Sequence, residues 1–222
     1  MKLKVCGIND EHEAKLAISY GADLLGLVAD MPSGVGMISD NKIHKIASGY
    51  ANHQNTVLLT SRTDADSIIN HQRITNTSHI QIVDHIPETE YKKIRAELVG
   101  IMIIQVIHVE DYSSYELALR RSMFVDFLLL DSGKPYKKNK TLGGTGNIHD
   151  WDISKEIVKD SKIPVYLAGG LNHSNVFDAI SCVRPFGIDV YSGLRTDQKL
   201  NKDKLALFMD EIKRAKNKIP HK

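Results

Sequence analysis

The chain has 222 residues, of which 42% are hydrophobic and 25% are charged, and its formal net charge at pH 7 is +2. Such a length fits one large domain, and so small a charge gives no electrostatic reason to expect binding to nucleic acid or membranes. No apolar run approaches the ~20 residues that cross a bilayer, and the first residues read as a strand rather than a signal peptide. We therefore expect a cytoplasmic protein whose two cysteines stay reduced.

Short runs rich in Val, Ile and Leu alternate with helical stretches along the chain, as in proteins whose parallel strands are buried on both faces. The predicted strands are Lys2–Cys6, Leu24–Val28, Thr56–Leu59, His79–Val83, Ile101–Ile107, Val125–Leu130, Val165–Ala168 and Ile188–Tyr191. The predicted helices begin at Asp10, Ser39, Asp64, Pro87, Asp111, Asp152, Asn172 or His173, and Lys202, with Gly21 ending the first and Gly49 the second.

Eight strand–helix units fill residues 1–222 without a linker or a change in composition. This pattern predicts a single α/β domain, a (β/α)8 TIM barrel. The competing architecture is a doubly wound open sheet. It is disfavoured because Gly7-Ile8-Asn9, after the first strand, is too short for a glycine-rich dinucleotide-binding loop.

Two ionisable side chains end predicted strands, where such a barrel places its active site. Cys6 follows Leu3-Lys4-Val5, and Asp131 follows an entirely apolar run. A thiol and a carboxyl so placed can act as base and acid, and Lys4, two residues before Cys6, would favour the thiolate. The alternatives are a structural cysteine with an outward-facing Lys4, and an aspartate that caps a loop with Ser132.

Glycine-rich segments follow the last two strands and predict an anion site. Gly169 and Gly170 follow the seventh strand, whereas Ser192 and Gly193 follow the eighth. Backbone N–H groups of these two loops commonly hold a phosphate in this fold, although glycine also serves simple turns. Gly144 and Gly146 lie in a third glycine loop that can close over a sugar phosphate. Ten histidines without ligand spacing predict no metal, and we expect no other cofactor.

Six stretches of the chain resemble the phosphoribosylanthranilate isomerases of tryptophan biosynthesis. These stretches are Lys4–Ile8, Tyr20–Gly26, Leu129–Ser132, Gly143–Gly146 with Asp150 and Trp151, Leu167–Asn172 and Gly187–Gly193. The resemblance implies an Amadori rearrangement of an N-substituted ribose phosphate, while the sequence leaves a monomer and a homodimer open. It also implies that Asp131 is the general acid, that Cys6 as thiolate is the general base, and that Asp189 lies near the substrate.

The chain departs from the family pattern where the aglycone, the group on the ribose nitrogen, is recognised. The segment Met31–Ser39 has no arginine, and Gln81-Ile82-Val83-Asp84 replaces the family's Gln-Leu-His-Gly. Arg195, where the family tends to be acidic, is predicted to hold the carboxylate or phosphate of the substrate, or else to be a surface arginine. The open alternatives are an isomerase of another amino-sugar phosphate and a non-catalytic sugar-phosphate sensor.

Overall fold

A computed structural model describes residues 1–32, 35–50, 55–132 and 150–218. Eight parallel strands form a closed barrel in sequence order, and β1 pairs with β8. This pairing confirms the predicted barrel and excludes the open sheet. The strands are β1 (Lys2–Val5), β2 (Leu24–Val28), β3 (Asn55–Thr60), β4 (His79–Ile82), β5 (Met102–His108), β6 (Phe127–Asp131), β7 (Val165–Leu167) and β8 (Gly187–Val190).

Helices follow the strands and cover the outside of the barrel. They are α1 (Glu11–Ser19), α2 (Asp40–Tyr50), α3 (Ala65–Thr75), α4 (Glu88–Glu97), α5 (Ser113–Arg121), α6 (Trp151–Asp160), α7 (Val176–Val183) and α8 (Lys202–Lys218). A 3-10 turn (Ser192–Leu194) and a hairpin of β9 (Arg195–Thr196) and β10 (Lys199–Leu200) connect β8 to α8. Within the described ranges, no helix has the length and apolarity that crossing a membrane requires.

Two predicted helix ends are wrong. Gly49 lies inside α2 instead of ending it, because one glycine weakens a helix by only about 1 kcal/mol. The helix predicted to begin at Asn172 or His173 begins at Val176, with Asn175 as its N-cap. The side chain of Asn172 instead accepts a hydrogen bond from the N–H of Ser174, at 2.8 Å, and so forms a turn ahead of the helix.

The lower end of the barrel interior, at the N-terminal ends of the strands, is filled by aromatic rings. Phe127, Tyr166 and Phe186 lie with ring centroids 5.6 to 6.1 Å apart, and we call these three residues the aromatic plug. Gly187 makes room for it, because a Cβ atom there would lie 2.4 Å from the Tyr166 ring. The plug occupies the bottom of the barrel, with Tyr166 buried and Phe186 partly exposed, and it leaves the opposite end for polar groups.

Candidate active site

A buried ion pair lies across β1 and β8 in the middle of the barrel. Lys4 and Asp189 are direct neighbours in the strand register, and Lys4 Nζ lies 2.9 Å from Asp189 Oδ1. Lys4 is fully buried, and Asp189 is 7% exposed. Burial alone would lower the pKa of Lys4, but the negative charge of Asp189 and its hydrogen bond to the ammonium group raise it. Lys4 is therefore an ammonium group beneath the mouth of the barrel.

Cys6 lies one layer above this pair, at the point where β1 ends. A Cβ atom added to Gly26 on β2 would lie 3.1 Å from both Cys6 Sγ and Lys4 Nζ. The thiol and the ammonium group thus converge on the space that Gly26 leaves open. Gly26 was not among the predicted site residues, although a glycine inside a buried strand often marks a close approach.

The balance of burial and charge around Cys6 differs from the prediction. Burial, the largest effect, raises the pKa of the Cys6 thiol to about 11, against a lowering by Lys4 and Arg195. The negative charges of Asp189 and Asp131 contribute to this net rise. Lys4 therefore acts on Cys6 in the predicted direction, but burial outweighs it, and the net pKa of the thiol lies above its ordinary value.

Asp131 ends β6 and is partly buried. Its Oδ1 accepts a hydrogen bond from the N–H of Ser132, at 2.7 Å, which is the local contact expected of a loop cap. Alternate residues of a strand share one face, so Asp131 lies on the same face of β6 as Phe127 and Leu129, which line the inside of the barrel. Its carboxyl group therefore faces the mouth, within electrostatic reach of Cys6.

His108 stands beside Asp131, because the two residues are direct partners in the pairing of β5 with β6. One ring nitrogen, Nε2, lies 3.0 Å from the carbonyl oxygen of Val83, the position where the family pattern has histidine. The other, Nδ1, is buried and has no partner among residues whose positions are described. An imidazole from β5 thus occupies the edge of the mouth next to the candidate acid.

The two predicted phosphate loops lie against each other. A Cβ atom at Gly193 would lie 2.0 Å from the carbonyl oxygen of Leu171, so only glycine allows this contact. Gly169 and Gly170 adopt φ angles of +83° and +63°, in the region that favours glycine. Within the described segments, the N–H groups of four loop residues have no hydrogen-bond partner: Gly169, Gly170, Ser192 and Gly193. Gly144 and Gly146 lie outside the described residues.

Arg195 is only 6% exposed, so the alternative prediction of a surface arginine is wrong. Its two terminal nitrogens bond to Glu13 and to backbone carbonyl groups, and its guanidinium group lies 4.7 Å from the Tyr191 ring centroid. These contacts do not support the predicted grip on a substrate carboxylate or phosphate. Glu13 and Tyr191 were not predicted, since nothing in the sequence links Glu13 to a residue 182 positions away.

Comparison with known proteins identifies the family of the chain. The family model described as N-(5'-phosphoribosyl)anthranilate (PRA) isomerase matches residues 3–211. The chain belongs to this family. A relative from Methanosarcina mazei, N-(5'-phosphoribosyl)anthranilate isomerase 2, is 33% identical over 98% of this chain and 95% of its own. The isomerase from Methanosarcina acetivorans is 30% identical over 96% of this chain and 93% of its own.

The solved structure of phosphoribosylanthranilate isomerase from Thermotoga maritima is 28% identical to the chain. It superposes with a TM-score of 0.79 and covers 98% of this chain and 99% of its own. The predicted family and the predicted enzyme class, an isomerase of the tryptophan pathway, are therefore confirmed. Which residues do the chemistry is a separate question, and it rests on the geometry described above.

Proposed function

We propose that the protein catalyses the Amadori rearrangement of phosphoribosylanthranilate, with Asp131 as general acid and Cys6 as general base. The observation that carries the proposal is the placement of a thiol and a carboxyl at the mouth of one barrel, on β1 and β6. Between them lie the loops after β7 and β8, whose N–H groups have no partner among the residues that the structure describes and suit a phosphate. The substrate is a small sugar phosphate, handled in the cytoplasm.

The reaction begins with two proton transfers, one to the ring oxygen of the ribose and one from its C2 carbon. Asp131 protonates the ring oxygen of the ribose, the bond from C1 to that oxygen breaks, and a cationic iminium forms between C1 and the nitrogen. Cys6 as thiolate then removes the proton from C2, and the electron pair of that bond neutralises the iminium. The resulting enol-amine becomes the ketone when C1 gains a proton and the C2 hydroxyl loses one.

A thiol with a pKa of about 11 acts as base at neutral pH only if its surroundings change during the reaction. Ring opening supplies that change. The iminium places a positive charge one bond from C2, which stabilises a neighbouring thiolate. The buried ammonium group of Lys4 supports the thiolate from below.

The test is steady-state turnover of freshly generated phosphoribosylanthranilate, with Asp131→Asn and Cys6→Ser as matched variants. We expect turnover by the unaltered protein and a loss of at least about 10³-fold in kcat for each variant, since each removes a proton-transfer group. Both variants should keep the affinity for inorganic phosphate, measured as a rise in melting temperature. Phosphate binding without any turnover would exclude anthranilate as the aglycone and favour an isomerase of another amino-sugar phosphate.

A further inference from the structure

Arg195 is a buried arginine whose surroundings are built around it. It lies in β9, directly after the 3-10 turn that follows β8. Burying a guanidinium group is costly unless hydrogen bonds and a counter-charge compensate it. The groups that compensate Arg195 therefore show what it holds in place.

The counter-charge is Glu13, which is also buried. Arg195 Nη1 donates to both carboxylate oxygens of Glu13, at 3.1 and 3.3 Å, and to the carbonyl oxygen of Gln198, at 2.9 Å. Glu13 in turn accepts hydrogen bonds from the N–H of Asn9, at 3.0 Å, and of Leu200, at 2.8 Å. The pair thus joins the loop after β1 to the hairpin after β8.

The other terminal nitrogen reaches the candidate base itself. Arg195 Nη2 donates to the carbonyl oxygen of Cys6, at 3.0 Å, and to that of Gly7. Gly7 has a φ angle of +69°, and a Cβ atom there would lie 2.3 Å from the Tyr191 ring. The Tyr191 ring is stacked on the guanidinium group of Arg195. The Cys6–Gly7 turn is therefore held at its carbonyl groups by Arg195 and at its Cα by Tyr191.

We propose that Arg195, anchored by Glu13, is a positioning residue that fixes the Cys6–Gly7 turn and so aims the Cys6 thiol at the substrate. This inference rests on the proposed role of Cys6 as base. The guanidinium group also favours the thiolate, since its charge lowers the pKa of Cys6. A 1 Å displacement of a reacting group is enough to cost about 10²-fold in rate, so a rigid turn has a direct catalytic value.

The decisive variants are Arg195→Met and Arg195→Lys, with Arg121→Met as the control. Arg121 is also largely buried and lies over an aromatic ring, but it is on α5, away from β1. Arg195→Met should lower kcat by about 10- to 100-fold with KM changed less than twofold. Arg195→Lys should restore part of that loss, because it keeps the charge but not the forked contact with two carbonyl groups. Arg121→Met should keep kcat within twofold.

A second measurement needs no substrate and so separates this inference from the proposed function. The rate of Cys6 alkylation by iodoacetamide is followed against pH in a Cys182→Ala background. Arg195→Met should raise the midpoint pH of alkylation, and Arg195→Lys should return it towards that of the parent protein. If Arg195→Met does not fold, Glu13→Gln serves instead, with a smaller loss of kcat expected because Arg195 keeps its backbone contacts.

Two results would overturn the inference. The first is a Met variant that folds, turns over as the Arg121→Met control does and keeps the alkylation midpoint of the parent. The second is a Met variant with unchanged kcat and a KM for phosphoribosylanthranilate raised by about tenfold or more, equivalent to ~1.4 kcal/mol. That outcome would make Arg195 a substrate grip. If the unaltered protein shows no turnover at all, the alkylation midpoints alone decide.

Discussion

Near the N-terminal ends of the strands the barrel interior holds the aromatic plug, whereas near the C-terminal ends it holds Lys4, Cys6 and Asp189. The lower half gains stability from burying rings, which is worth about 1.5–3 kcal/mol for a fully buried side chain such as Tyr166 and less for Phe127 and Phe186, which are partly exposed. The upper half buries charges, which stabilise a fold little when paired and cost several kcal/mol when unpaired. The side chains that stabilise the fold and those proposed to act in the reaction therefore lie at opposite ends of the barrel axis.

The largest expected effect comes from breaking the ion pair in the upper half. Lys4→Met should lower the free energy of unfolding by about 3–5 kcal/mol, because Asp189 would remain buried without its counter-charge. Urea unfolding monitored by circular dichroism measures this loss. The Lys4→Met substitution should also abolish turnover, since the thiolate of Cys6 would lose the ammonium group beneath it.

The double variant Lys4→Met with Asp189→Asn is the control for this prediction. It removes both charges, so it should recover at least about half of the lost stability while turnover stays low. Such a result would show that the charge pair affects the free energy of unfolding and the turnover separately. Equal stability of Lys4→Met and the unaltered protein would show that the pair is not buried as described.

The lower half should respond in stability alone. Gly187→Ala places a Cβ atom 2.4 Å from the Tyr166 ring and 3.0 Å from the carbonyl oxygen of Lys2. Overpacking of this kind costs about 1–3 kcal/mol, and we expect kcat per folded molecule to stay within about twofold. Gly49→Ala is the matched control, because no atom lies within 4 Å of its added Cβ. That control should be neutral or slightly stabilising in the same urea titration.

Gly26→Ala is the corresponding probe of the upper half. Its added Cβ would lie 3.0 Å from Cys6 Cα and 3.1 Å from both Cys6 Sγ and Lys4 Nζ. We expect a fall in kcat of about tenfold, or ~1.4 kcal/mol, because the thiol and ammonium group must move apart to admit a methyl group. The loss of stability should be smaller than for Gly187→Ala. A Gly26→Ala protein with full activity would mean that the positions of Cys6 and Lys4 are not critical.

The eight strands and the two strand-end residues Cys6 and Asp131 follow from the sequence because a buried parallel strand is a local, apolar run. The contact of Arg195 with Glu13 does not, since it joins residues far apart in the chain. The net pKa of Cys6 does not follow either. The direction of the pKa shift depends on whether burial or the nearby Lys4 has the larger effect, and that depends on how the barrel packs around the thiol.

The expected effect that is smallest at neutral pH, because it develops only on acidification, concerns His79, at the lower end of β4 and 7% exposed. Burial lowers the pKa of His79 to about 4 from its ordinary value of 6.5. A histidine with a lowered pKa adds stability that is fully present above pH 6.5 and is lost as the pH falls towards 4, because the unfolded chain takes up the proton first. The loss should reach about 2–3 kcal/mol.

His79→Gln should therefore flatten the fall in unfolding free energy between pH 7 and pH 4.5, measured by urea titration at both values. The exposed His12→Gln supplies the control and should leave the slope unchanged. Activity is not expected to change, because His79 lies beside the Phe127 ring of the aromatic plug, with centroids 6.2 Å apart, and not at the mouth. If the slope of His79→Gln equals that of the unaltered protein, the fold does not lower the pKa of His79, and the imidazole is accessible to water at the lower end of β4.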